Sequence, residues 1–227
     1  MINQQLVNTI LNEIAELERE YQLSQGLILT EDDLKCHLFS KIKSILPQAM
    51  PTLNTEILGS PLHSEVKFFD EEDKLTLRPD LCVINPDFLS IYHSVEFEIK
   101  RGNAMFKKYS SKCFEIGGSA ILIELKFCRS ENGICDDDKQ SFENDVLKIN
   151  KLQTIVSGRS NGHDTIYGIF AIFNKTNQGK EKFDVLKVKY KSSPNLHLVY
   201  ATGNVNFAGI NPNLYGSGFQ ADIRQIC

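Results

Sequence analysis

The stretch Ile121-Leu122-Ile123-Glu124-Leu125-Lys126-Phe127 decides how this chain is read. Its first half has the composition of a strand covered on both faces. Its second half sets a carboxylate and an ammonium into the same apolar run. Strand side chains alternate, so Glu124 and Lys126 share one face and Leu125 takes the other. Burying charge is costly unless the charge is paired or binds a metal. The two charges therefore belong either to an exposed strand end or to a working site. Upstream, Arg78-Pro79-Asp80 opens a second apolar run, Leu81-Cys82-Val83-Ile84, which brings an acid to the start of a candidate neighbouring strand.

Around these two runs the hydrophobic period changes. Residues 3–23 read as an amphipathic helix with Leu6, Ile10, Ile14, Leu17 and Tyr21 at helical spacing. Thr30 followed by Glu31, Asp32 and Asp33 predicts a capped second helix with acids suited to its dipole, buried through Leu34, Leu38, Ile42 and Ile45. Period two takes over from Leu53 to Lys100. Residues 54–58 read as a short strand, residues 65–69 and 74–84 as a hairpin around the acidic turn 70–73, and residues 91–100 as a further strand. Residues 102–118 read as a short helix or loop, and 129–139 as a polar loop in which Asp136-Asp137-Asp138 is a solvated turn. A helix is expected over 140–157 and a strand over 166–173, with further strands at 183–190 and 196–200.

The chain of 227 residues suits a single domain, and 41% hydrophobic with 24% charged residues is ordinary for a globular protein. A net charge of -4 does not advertise nucleic-acid binding, although a local basic patch or a bound cation can outweigh it. The cysteines Cys36, Cys82, Cys113, Cys128, Cys135 and Cys227 form no Cys-x-x-Cys pair, and no His–Cys spacing matches a zinc site. They read as reduced core residues of a cytoplasmic protein. The first residues lack the pattern of a signal peptide, and no run is long enough to span a membrane. No Gly-x-Ser-x-Gly setting and no Gly-rich loop before Lys-Ser/Thr is present, so a serine hydrolase or a nucleotide-binding loop is not indicated.

Taken in order, Arg78-Pro79-Asp80, Glu124-Leu125-Lys126, the helix around Phe142-Glu143-Asn144-Asp145-Val146-Leu147-Lys148 and the strand Tyr167–Phe173 resemble the PD-(D/E)XK nuclease superfamily. The resemblance covers roughly residues 28–175. It implies an α/β fold with a restriction-endonuclease-like core, a central mixed sheet flanked by helices, an N-terminal helix and a strand-rich C-terminal extension over 176–227. Residues 86–118 would be an insertion into the core. It also implies a Mg²⁺- or Mn²⁺-dependent endonuclease, a hydrolase of phosphodiester bonds acting on DNA ahead of RNA. Asp80 and Glu124 would bind the metal, the Leu125 carbonyl would add a ligand, and Lys126 would orient the attacking water or stabilise developing charge.

Family members often add a Glu from the preceding helix, here Glu31, with Asp32 and Asp33 as alternatives; the same acids also simply suit a helix N-terminus. Lys148 and Lys151 on the following helix are candidate nucleic-acid contacts, although a solvated face accounts for each taken singly, and Arg101, Lys107, Lys108 and Lys112 with Tyr109 between them could bind phosphates or stack bases, although a surface loop accounts for them as well. A homodimer would be an economical way to cut both strands, and host defence or mobile-element biology is the family-level expectation. Glu98-Ile99-Lys100 is a rival Glu-x-Lys, but its strand alternates cleanly and its charges need no special explanation. The alternative function is a catalytically inactive nuclease fold that binds or scaffolds. A third is a nuclease controlled by a partner or ligand through the first helix and the tail.

Overall fold

The Asn3 side chain accepts the Leu6 N–H and starts helix α1 (Gln4–Leu23), whose Val7, Ile10, Ile14, Leu17 and Tyr21 are buried. Thr30 starts helix α2 (Glu31–Ile45) with a capping box, its side chain accepting from Asp33 N–H while the Asp33 carboxylate accepts the Thr30 N–H. The two helices bury their apolar stripes in one cluster with Ile121, Ile123 and Leu125. This computed structural model describes residues 1–52, 57–69, 75–88, 95–100, 103–108, 113–114 and 118–206.

The central sheet has five strands: β1 (Leu62–Ser64), β2 (Leu81–Ile84), β3 (Ala120–Cys128), β4 (Ile166–Asn174) and β5 (Leu196–Thr202). Their spatial order is β5-β4-β3-β2-β1. β3, β4 and β5 run parallel, while β2 is antiparallel to both β3 and β1. Parallel neighbours need crossovers, and helices α3 (Asp136–Arg159) and α4 (Lys180–Lys189) supply them. The result is an α/β fold with a mixed sheet flanked by helices, plus N- and C-terminal elements. α1 and α2 cover one face. Leu122 on the other face shares a buried cluster with Leu152 and Val156 of α3. A Cβ at Gly168 of β4 would strike Ile149 of α3, so this glycine lets the helix lie close on the sheet. No helix among the described residues is long and apolar enough to cross a membrane.

Several sequence expectations are corrected. The run read as a strand at 183–190 is part of α4, with Phe183 and Leu186 buried at helical spacing and Val185 and Val188 exposed. The C-terminal part is thus not strand-rich in its described residues: one helix precedes one strand, and that strand completes the central sheet. Valine content favoured the strand reading; the need to cross over between parallel β4 and β5 decides for helix. Asp136-Asp137-Asp138 is not a turn but the first turn of α3, where Asp138 accepts the Cys135 N–H. The run 74–84 is divided: Leu75–Leu77 pairs with Lys67–Phe69 in a separate sheet, and β2 begins after Pro79. Asn103–Lys108 is a strand paired with Val95–Lys100, where a helix or loop was expected. Cys82 and Cys128 are buried and free as expected, whereas free Cys36 and Cys135 are exposed. The acidic turn 70–73 and most of the strand expected at 54–58 lie outside the described residues.

Candidate active site

The register of β3 creates the site. Its first residues pair on both sides, Ala120 with Ile84 and Ile166 through to Ile123 with Leu81 and Ile169. β2 ends there in register, while β4 continues to Cys128. Among the described residues the second half of β3 therefore has no strand beside it on that edge, and alternate N–H groups along the edge need acceptors. Two carboxylates take over the ladder. Leu125 N–H donates to Asp80 Oδ2 at 2.8 Å and Phe127 N–H donates to Glu31 Oε2 at 3.1 Å. N–H and C=O of one strand residue point to the same edge, so the Leu125 carbonyl is directed to the Asp80 side.

Local structure fixes both acids. Pro79 is buried immediately before Asp80, and the Asp80 carbonyl accepts the Glu65 N–H at 3.0 Å. Glu65 adopts φ 54°, a left-handed conformation that is strained for a residue with a side chain. Its carboxylate lies 2.5 Å from Lys35 Nζ and 3.4 Å from Arg78, which ties this corner to α2. Glu31 is the first residue of α2. The alternatives Asp32 and Asp33 are engaged elsewhere: Asp32 lies 2.9 Å from Lys35, and Asp33 closes the capping box. Glu31 is the acid of the three that reaches β3.

Glu124 and Lys126 lie on the α3 face of β3. Glu124 is only 2% exposed, and its Oε1 accepts from Lys148 Nζ at 2.6 Å. Lys148 also donates to Asp145 Oδ1 at 3.1 Å and to the Arg78 carbonyl at 3.3 Å. Lys126 Nζ is 3.2 Å from Asp145 Oδ2 and 3.5 Å from Glu31 Oε1. Asp145 thus sits between the two ammonium groups, and its Oδ2 has ion-pair contact with Lys126 without hydrogen-bond alignment.

Burial pushes the Glu124 carboxyl up to about 8, against the opposing pull of Lys148; the negative charges of Asp80 and Asp145 push the same way as burial. Burial alone would lower both lysines. Asp145 and Glu31 outweigh it at Lys126, and Glu124 and Asp145 outweigh it at Lys148, so both are held above the usual lysine value.

Asp80, Glu124, Leu125, Lys126 and Glu31 are thus gathered around one half-strand. Lys148, expected to face nucleic acid, instead points into this cluster. Its i,i+3 relation to Asp145 was visible in the sequence, but nothing there placed the pair over Glu124. Lys151 is exposed on α3. Arg101 lies outside the described residues, as do the side chains of Lys107 and Lys108, and of the rival pair Glu98 and Lys100. The strand bearing Glu98 and Lys100 pairs with Asn103–Lys108 in a two-stranded sheet of its own, while Asp80 engages the strand of Glu124.

Among the described residues no three His, Cys, Asp or Glu side chains form a group arranged to hold a metal by themselves. The donors at the half-strand are hard oxygens, which suit Mg²⁺ or Mn²⁺ and not a thiolate metal. Mg²⁺ retains several waters and commonly takes one or two carboxylates plus substrate oxygens, so such an ion does not require a three-acid cage. The Glu124 carboxyl, pushed up mainly by burial and further by Asp80 and Asp145, is a group that added positive charge would ionise. No protein-family model, no curated protein and no solved structure matches this chain.

Proposed function

We propose that the protein is a Mg²⁺- or Mn²⁺-dependent endonuclease with a restriction-endonuclease-like core, acting on DNA ahead of RNA. The observation that carries this reading is the fastening of Asp80 and Glu31 to the open edge of the half-strand that bears buried Glu124 and half-buried Lys126. A phosphodiester resists attack because it is anionic and its leaving oxygen needs stabilisation. A cation held by Asp80, Glu124 and the Leu125 carbonyl would supply Lewis acidity and a more acidic bound water. The chain's own groups do the remaining work. Glu31 and Asp145 hold the Lys126 ammonium at the cluster, where it can orient a water or donate to a developing oxyanion. Lys151, exposed on α3, can meet backbone phosphate. Homodimerisation for cutting both strands and a role in host defence or mobile-element biology belong to the same reading by resemblance, and a cytoplasmic setting belongs to it through the reading of the cysteines as reduced.

A second reading, an inactive nuclease fold that binds or scaffolds, is favoured by one observation: the charges of the cluster already compensate one another, Glu124 with Lys148 and Lys126 with Glu31 and Asp145. Incubating the chain with plasmid and with RNA, in Mg²⁺, Mn²⁺ or EDTA, separates the two. The nuclease reading expects metal-dependent cleavage that Lys126→Ala slows about 10²–10³-fold. Intact substrates under every condition would leave the binding module standing, and cleavage by Lys126→Ala at the wild-type rate would move the chemistry away from this site.

A further inference from the structure

Lys148 donates its three N–H groups to three oxygens drawn from three segments: Glu124 Oε1 on β3 at 2.6 Å, Asp145 Oδ1 on α3 at 3.1 Å, and the Arg78 carbonyl before β2 at 3.3 Å. Two carboxylates and a backbone carbonyl around a compact cation are also the oxygen chemistry that hard divalent ions accept. An ammonium on a flexible four-carbon stem can occupy such a nest and can leave it. Asp145 does not hold Lys148 alone, because its other oxygen contacts Lys126. Displacing Lys148 would therefore leave Asp145 with a remaining cationic neighbour.

We propose that Lys148 is the resident cation of this site and that a divalent metal ion binds Glu124 by displacing it. The inference rests on the nuclease reading, since it uses the same metal and one of the same ligands. Its physical basis is that a buried carboxylate cannot be left uncompensated. Lys148 keeps the cluster assembled before metal arrives, and it lowers the apparent metal affinity by the fraction of molecules in which the nest is filled. The exchange sets a threshold metal concentration below which Glu124 stays paired with the lysine.

Calorimetric titration of Mn²⁺ into wild type, Lys148→Met and Asp80→Ala tests this without substrate. Removal of the competitor is expected to tighten Mn²⁺ binding about tenfold or more in Lys148→Met, and Asp80→Ala to lose it. Equal or weaker binding by Lys148→Met, with wild type binding and Asp80→Ala not, overturns the displacement and leaves the metal site intact. Absence of binding in both wild type and Lys148→Met overturns the metal reading together with the displacement. A second measurement uses the wild-type chain alone and decides where Lys148→Met fails to fold. Lysine acylation read by mass spectrometry is expected to rise at least about threefold at Lys148 when Mn²⁺ is added, because a released ammonium is the reactive one, while exposed Lys151 stays unchanged. Unchanged or reduced labelling of Lys148 with Mn²⁺ bound overturns the proposal.

Discussion

Leu122 and Glu124 occupy the same face of the same strand, one pleat apart, and both lie under α3, yet they meet opposite surroundings. Leu122 shares its cluster with Leu152 and Val156 and its backbone is laddered by β2 and β4. Glu124 meets Lys148 and Asp145, further toward the start of the same helix, beside the strand edge that β2 has left. One half of β3 is an ordinary core strand. The other half stays buried at Glu124 and Leu125, is half-buried at Lys126 and Phe127, and on its α3 face exchanges apolar contacts for ion pairs, with two carboxylates where a strand neighbour stood. The change happens where β2 begins, at the Pro79-Asp80 step. The end of a pairing partner, together with the charges at Glu124 and Lys126, turns a core element into the candidate site.

The pH response should divide the two halves most sharply. The Glu124 carboxyl is raised from 4.5 to about 8 in the folded chain, mainly by burial. Its contribution to stability is therefore fully present below 4.5 and is lost as pH climbs through about 8. The loss is on the order of 5 kcal/mol at most, if the shift is taken at face value. In EDTA, urea unfolding of wild type should show this decline relative to Glu124→Gln, whereas Leu122→Val should track wild type at every pH. A wild-type curve parallel to Glu124→Gln from pH 4.5 to 8 would dissolve the distinction between the two halves.

Truncating the apolar half should act on stability alone. Leu122→Ala opens a cavity under α3 and should cost about 2–5 kcal/mol in urea unfolding. Any cleavage by the molecules that remain folded should keep its metal dependence. Lys126→Ala is the counterpart in the charged half. On the proposed nuclease reading it should lower the cleavage rate about 10²–10³-fold, as loss of a preorganised donor does, with the loss falling on kcat and not on KM. A similar loss of kcat in both variants would mean that the strand acts as one structural unit.

Much of this contrast was legible in the sequence. Glu124 and Lys126 stood out because charge interrupts an apolar run, and the Thr30 cap and its acids marked α2. The run opening at Leu81 was legible too, but the five-strand order and the register that sets Leu81 opposite Ile123 were not, because they depend on pairing between distant segments. The same distance hid Lys148: i,i+3 spacing ties it to Asp145, but only the packing of Ile149 against Gly168 brings that turn of α3 over Glu124. The three acids 136–138 were misread although they follow the rule that located α2, because Cys135 gives no cap signal in the way Thr30 does. At 183–190 valines suggested a strand where the connection between parallel strands required a helix.

The smallest effect probes the substituted ladder itself. Glu31→Gln keeps an oxygen that can accept the Phe127 N–H and removes the charge, so its cost should be about 1 kcal/mol or less. Glu31→Ala removes the acceptor as well and should cost about 1.5–3 kcal/mol, the range for hydrogen bonds to charged groups. Amide exchange separates the two substitutions by position. Protection at Phe127 should fall in Glu31→Ala and largely persist in Glu31→Gln, while Ile123, which lies in register with Leu81, should be unchanged in both. If Phe127 exchanges equally in wild type and Glu31→Ala, the carboxylate is no substitute for the missing strand. If Ile123 loses protection along with Phe127, the two halves of β3 open as one unit, and the boundary at Leu81 has no energetic meaning.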